Sequence, residues 1–137
     1  MGRTSGCDSA EARKRLEMAR QFFAVASLVA DDRDEDASLL YANAASSLAI
    51  LAGIAAADAA CCAVLGERSR SQNHHDAERF VQEIQPDGAA AAKHLRGLLN
   101  LKDKAHYGFL AVNGSELTST LRKAEALISF AESVVQR

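Results

Sequence analysis

The stretch AASSLAILAGIAAADAACCAVL, residues 44–65, decides the fold. Wound as a helix, it is apolar on almost every side, which predicts a central helix that is buried by its neighbours. It is long enough to span a bilayer, but it is rich in alanine and carries Asp58 near its centre, where a charge is costly in lipid. We therefore expect the core helix of a cytoplasmic protein that does not contact a membrane.

The composition of the whole chain predicts an all-α protein. Its 137 residues are the usual size of one domain, 48% of them are hydrophobic and only 5% are aromatic. Alanine is the best helix former, whereas strands favour β-branched and aromatic residues. We expect a flexible leader over residues 1–8 and one helical domain over residues 9–137.

Apolar residues that recur every three or four positions predict four long helices and a short one. The short helix lies between helices 2 and 4, so we expect an up-and-down four-helix bundle with one extra helix. Ser9 and Ser115 are the expected N-caps of helices 1 and 5, and Gly66 is the expected C-cap of helix 2. The five predicted helices span residues 9–30, 37–65, 74–84, 89–107 and 115–135.

The three cysteines are Cys7, Cys61 and Cys62. Neighbouring residues of a helix point about 100° apart, so Cys61 and Cys62 are badly placed to bond each other or to share a metal. We interpret all three as reduced thiols, which fits a cytosolic protein.

Charge and motifs exclude several classes of site. A formal net charge of −2 argues against a general nucleic-acid binder, because phosphate contacts need a positive surface. The acidic run 31–36 lacks the spacing of a calcium loop, and His74 and His75 lack partners at zinc spacing. We predict no metal and no cofactor.

One run near the end of helix 4 breaks the apolar pattern. With Leu95 at zero on a helical wheel of about 100° per residue, Lys102 lies near −20° and His106 near +20°, on the face of Leu98 and Leu99. Either Lys102 extends to solvent and His106 favours the negative helix end, or the pair faces a cleft or subunit contact. In a cleft, the cation would hold phosphate and the imidazole would move a proton.

Several sequence features together resemble the HEPN superfamily of small helical-bundle proteins. The resemblance covers about residues 37–135, nearly the whole predicted bundle. The features are an alanine-rich second helix with Tyr41 near its start, Asn73-His74-His75 before a short helix, Leu98-Leu99 leading to Lys102-Asp103-Lys104-Ala105-His106-Tyr107-Gly108, and a last helix with Ala124-Glu125-Ala126-Leu127 and Phe130-Ala131.

The resemblance implies a homodimer, often with the fourth helices near the two-fold axis. Many members are metal-independent ribonucleases, frequently toxins or antiviral effectors, whose motif is Arg, four to six residues, then His. Lys102 takes the position of that Arg, Asp103 the polar position after it, and His106 the position of the His. Here Lys replaces Arg, and only three residues separate the pair, a spacing closer to non-catalytic branches that carry Arg-x-x-x-Asp-Tyr.

We therefore expect a HEPN-like homodimer that binds RNA, a nucleotide or a partner protein without catalysis. The alternative is an endoribonuclease in which His106 is the general acid and base, Lys102 neutralises phosphate, and Asp103 or Tyr107 supports them. A third possibility is an unrelated helical bundle. Further candidates for ligand contact are Lys104, Arg96 and His75.

Asp58 is the polar exception in helix 2. An ionised carboxylate without a partner inside a protein costs several kcal/mol, on the order of the desolvation penalty of one ion. We expect Asp58, if it is buried, to meet a basic or hydroxyl partner, with Lys102 or His106 as candidates.

Overall fold

The computed structural model describes residues 4–31, 41–69, 74–107 and 111–136, and the helical prediction is confirmed there. These ranges contain five helices and one small antiparallel sheet. A short helix lies between the second and fourth helices, as predicted. The elements are β1 (Thr4–Gly6), α1 (Ser9–Ala30), α2 (Ala42–Leu65), β2 (Glu67–Ser69), α3 (His74–Gln82), α4 (Gly88–Tyr107) and α5 (Gly114–Val135).

The alanine-rich helix α2 is central, because it packs against α1, α4 and α5. More than half of its 24 residues are buried, most of them alanines. Gly53 lies against Leu98 of α4 and Leu127 of α5, and a Cβ at this position would lie 3.2 Å from Cδ1 of Leu127. Small residues therefore let the three helices approach closely.

Two predicted helix caps are wrong by one or two residues. The N-cap of α1 is Asp8 rather than Ser9, and its side chain accepts a hydrogen bond from the backbone N–H of Glu11 at 2.8 Å. The N-cap of α5 is Asn113 rather than Ser115. In each case a neighbouring oxygen reaches the orphan N–H of the first turn.

Of the other predicted helix boundaries, one agrees with the structure, one differs by two residues and one lies outside the described residues. Gly66 is the C-cap of α2, as predicted, and its φ of 71° is a conformation that favours glycine. Helix α3 ends at Gln82, two residues before the expected end. The expected start of helix 2 at residue 37, and the acidic run from residue 32 to 36, lie outside the described residues.

The predicted flexible leader differs from the structure over residues 4–8. Strand β1 pairs antiparallel with β2, with Thr4 opposite Ser69 and Gly6 opposite Glu67. The Cys7 N–H then donates to the Gly66 carbonyl at 2.9 Å. These bonds anchor the segment before α1 to the segment after α2.

The prediction of three reduced cysteines is wrong for two of them, because Cys7 and Cys62 form a disulfide. Cys61 is a buried free thiol, as predicted. The adjacent pair is not bonded to itself, which the geometry of a helix explains. What the prediction missed is that antiparallel packing of α1 on α2 brings Cys7, 55 positions away in sequence, to the end of α2.

By length and composition, α2 is the one described helix that is able to cross a membrane, with a mean hydropathy of 2.2 over its most apolar window. Within that window, 56% of the residues are buried inside the protein. This is weak evidence for a span, because the core helix of a soluble protein passes the same test.

Candidate functional site

The candidate site lies on the last turns of α4, where that helix meets α2. Lys102 and His106 are half-buried, Ala105 between them is buried, and Asp103 is exposed. His106 Nδ1 lies 2.6 Å from the Ser47 hydroxyl of α2. The prediction that His106 projects from the inward side of α4 is therefore confirmed.

Asn43, one turn before Ser47 on α2, forms hydrogen bonds with the end of α4 and with the segment just before α5. Its side-chain amide donates to the Lys104 carbonyl at 3.2 Å, and its Oδ1 accepts the Val112 N–H at 2.9 Å. Together, Asn43 and Ser47 fix the last turn of α4 against α2. Sequence reasoning missed both residues, although a polar pair four positions apart in an otherwise apolar helix is a usable signal.

The surroundings of His106 favour the neutral form of its imidazole. Burial lowers the pKa of His106, the Lys102 ammonium lowers it further, and Asp103 opposes them. A neutral imidazole has one N–H. When the Ser47 hydroxyl donates to Nδ1, the ring hydrogen is on Nε2, and Nε2 is a donor. When Nδ1 carries the ring hydrogen and donates to Ser47, Nε2 is an acceptor.

Two further predicted ligand contacts are engaged by carboxylates of the same chain. Lys104 Nζ lies 2.9 and 3.0 Å from the two carboxylate oxygens of Glu116, and this hydrogen bond lowers the pKa of Glu116. Arg96 Nε donates to Glu78 at 3.1 Å, about 12 Å along α4 from Lys104 at 1.5 Å per residue. The structure does not bring Arg96 to the site.

Two other predicted site residues are placed only by their backbone. Tyr107 is the last residue of α4, and His75 belongs to the first turn of α3. Their side chains lie outside the described residues, so their roles stay predictions.

Asp58 has a basic partner, as predicted, but the partner is Arg15 of α1, with 3.9 Å between Nη1 and Oδ2. The candidates Lys102 and His106 are wrong. Asp58 lies eleven positions beyond Ser47, about 16 Å along the axis of α2, and His106 contacts Ser47. Burial raises the pKa of Asp58 to about 6, and the charges of Arg15 and Arg68 offset this only in part.

Comparisons with known proteins do not identify a family: no family model and no curated protein matches the chain. Among the residues that the structure describes, no three His, Cys, Asp or Glu side chains are grouped to hold a metal ion. The HEPN resemblance therefore depends on the sequence features alone and stays a prediction.

Proposed function

We propose that the chain is a HEPN-like interaction module, a four-helix bundle that forms a homodimer and binds a protein partner through the end of α4 without catalysis. Its contact surface includes the half-buried pair Lys102 and His106. The sequence favours the cytoplasm for it, although the Cys7–Cys62 disulfide is of a kind that persists mainly in oxidising compartments.

The observation that favours a protein partner over RNA is that two basic side chains of α4, one at the site and one further along the helix, are already paired with carboxylates. Lys104 is engaged by Glu116, and Arg96 is engaged by Glu78. RNA affinity comes largely from cations that neutralise successive phosphates. With these two cations paired and a net charge of −2, the surface offers little to a phosphate backbone.

A catalytic role for His106 depends on which ring nitrogen carries its hydrogen, and the contact with Ser47 allows either. A general base needs an unprotonated ring nitrogen that faces the substrate. Where the Ser47 hydroxyl donates to Nδ1, 2.6 Å away, the ring hydrogen is on Nε2, which then donates; in the other tautomer Nε2 accepts, and the ribonuclease alternative keeps a base. Lys102 adds a single point charge, without the planar fork that lets arginine bind two phosphate oxygens.

The test combines native mass with an RNA assay. Light scattering after size exclusion should give twice the 14.6 kDa of the chain. A labelled single-stranded RNA in EDTA should stay intact with wild type and with His106→Ala. It should also show no binding below about 100 µM protein, the weak end of non-specific affinity. ATP titrated in the same way should not bind.

Lys93→Ala is the matched control, because Lys93 is an exposed lysine of the same helix and lies away from the pair. Cleavage that disappears in His106→Ala and persists in Lys93→Ala would establish the ribonuclease alternative. Micromolar RNA binding that is lost in Lys102→Ala and kept in Lys93→Ala would make the ligand RNA. A monomer mass at every concentration would refute the homodimer.

A further inference from the structure

The segment before α1 is joined to the end of α2 by a disulfide and by a short strand pairing. Cys7 is bonded to Cys62. Beside this bond, β1 pairs with β2 over three residues of each strand, and the Cys7 N–H donates to the Gly66 carbonyl at 2.9 Å. We call residues 4–7 the N-terminal strap.

The strand pairing is too short to hold the N-terminal strap by itself. Thr4 and Gly6 are exposed, and Ser5 and Cys7 are only half-buried. A two-stranded ribbon is marginally stable in water even when a tight turn joins its strands, and here α1 and α2 lie between β1 and β2 in the sequence. The two cysteines are 55 positions apart, so breaking their bond returns much conformational freedom to the chain. The disulfide therefore keeps β1 on β2.

Helix α1 has contacts of its own and does not depend on the strap. Its N-cap Asp8 accepts the backbone N–H of Glu11 at 2.8 Å, inside the first turn of the helix. Ala12, Leu16 and Ala19 are buried, and α1 packs against α2 and α5. We therefore expect release of the strap to stop at the start of α1 and to leave the helices folded.

The three cysteines differ in how easily a thiol reagent reaches them. Cys7 is half-buried, whereas Cys62 is 3% exposed, so a reductant reaches the disulfide from the side of Cys7. Cys61 is also 3% exposed. Burial raises the pKa of the Cys61 thiol to about 12, and the carboxylates of Asp58 and Glu83 contribute to the rise. Because the thiolate is the nucleophile, Cys61 does not exchange with the neighbouring disulfide.

We propose that the Cys7–Cys62 disulfide is a redox latch, which a dithiol reductant opens so that the N-terminal strap leaves β2 while the helices stay folded. A thiolate of the reductant attacks Sγ of Cys7, the bond between the two sulfurs breaks, and Cys62 leaves as a thiolate that takes up a proton. The second thiol of the reductant then displaces Cys7, which also takes up a proton. Two electrons pass to the chain, and the reductant becomes a disulfide.

A reversible bond fits the compartment proposed above. Cytoplasmic reducing systems keep most thiols reduced, and a disulfide found there is usually transient and serves catalysis or redox sensing. The cytoplasm is the one point that the inference takes from the proposed function. It depends neither on the homodimer nor on the ligand of Lys102 and His106.

Hydrogen exchange of the native protein, with and without dithiothreitol, tests the latch. On reduction, the amides of residues 5–7 and 67–69 should exchange about ten-fold faster or more, because they open without unfolding of the helices. The Cys7 amide is the clearest marker, since it loses the Gly66 carbonyl. Cys7→Ser should show the fast exchange with or without reductant. Cys61→Ala is the matched control: it removes the free thiol and should respond as wild type does.

Alkylation with iodoacetamide, followed by peptide mass mapping, identifies the thiols that reduction makes available. In the oxidised native protein none of the three cysteines should react, because two are bonded and Cys61 is buried. After reduction without denaturant, Cys7 should react first. Cys61 and Cys62 should react much more slowly, because both stay within the folded end of α2.

Three results would overturn the latch. Reduction that occurs only after urea has unfolded the chain would make the disulfide a permanent bond. Protection of residues 5–7 that persists in the reduced protein would show that strand pairing holds the strap. Loss of protection throughout the helices, in the reduced protein or in Cys7→Ser, would mean that the bond supports the whole fold. A monomer mass of the same samples would refute the homodimer of the proposed function and leave the latch standing.

Discussion

Helices α2 and α5 pack against each other and against both α1 and α4, yet their solvent-facing sides differ. Each helix has a stripe of such positions at intervals of three and four. On α2 every member of the stripe is apolar, and we call this stripe the α2 outer face: Ala44, Leu48, Leu51 and Ala55. On α5 every member of the stripe is polar: Ser115, Thr118, Arg122, Glu125, Ser129 and Ser133.

The difference shows that the two helices meet different requirements. The α5 stripe is a polar surface suited to contact with water. The helix begins with a capping box in which Asn113 and Glu116 exchange hydrogen bonds. Helix α2 starts at Tyr41 without a side-chain cap and leaves Leu51 in solvent. In the monomer, we infer that only the inner side of α2 contributes much to stability.

The largest expected effect separates the two sides of α2 at adjacent positions. Ile50 is fully buried and Leu51 is 38% exposed. Ile50→Ala should lower the free energy of unfolding by about 2–5 kcal/mol, because it removes buried methyl groups and leaves a cavity. Leu51→Ala should cost less than about 1 kcal/mol.

Urea unfolding of both variants, at a protein concentration low enough to keep the chain monomeric, measures these two values. A Leu51→Ala cost as large as that of Ile50→Ala would show that the α2 outer face stabilises the monomer. That result would contradict the inference that only the inner side of α2 contributes much to the stability of the monomer.

The carboxylates of the two helices should respond to pH in opposite directions. The pKa of Asp58 is raised to about 6 by burial, so its carboxyl binds a proton more tightly in the folded chain than in the unfolded one. The stability that this provides is present at pH 4 and is lost as pH rises through about 6, by at most about 3 kcal/mol at 1.36 kcal/mol per pKa unit. The pKa of Glu116 is lowered by Lys104, so its contribution is instead lost as pH falls.

Unfolding free energies at pH 4.5 and 8 test this prediction through the difference between each variant and wild type. In Asp58→Asn the free energy of unfolding should no longer fall between pH 4.5 and 8 on account of this carboxyl. The variant should therefore be more stable than wild type at pH 8. Glu116→Gln is the matched control of opposite sign. If Asp58→Asn leaves the pH dependence unchanged, Asp58 is ionised without cost, and Arg15 compensates it fully.

What the sequence predicted correctly is local. The period of apolar residues located five helices, and the wheel placed His106 on the inward side of α4, since both depend on residues a few positions apart. The disulfide between Cys7 and Cys62, and the contact between Arg15 and Asp58, depend on how α1 lies against α2. A helical period does not report the relative height of two helices, so neither was predictable from it.

The N-caps of α1 and α5 were predicted wrongly for a different physical reason. Asn113 and Ser115 are both favourable N-cap residues, and they lie two positions apart. Only the backbone of the preceding residues decides which side chain reaches the free N–H groups. At α5 an extended Asn113, with φ of −85° and ψ of 170°, is the residue that does so.

The smallest expected effect tests which residue is the N-cap of α5. Asn113→Ala should cost about 1 kcal/mol, because the backbone N–H of Glu116 loses the acceptor that lies 2.8 Å away. Ser115→Ala should stay within about 0.5 kcal/mol of wild type, as an exposed position inside the first turn. Urea unfolding of the two variants gives the comparison. Equal costs would mean that the cap is shared between the two side chains.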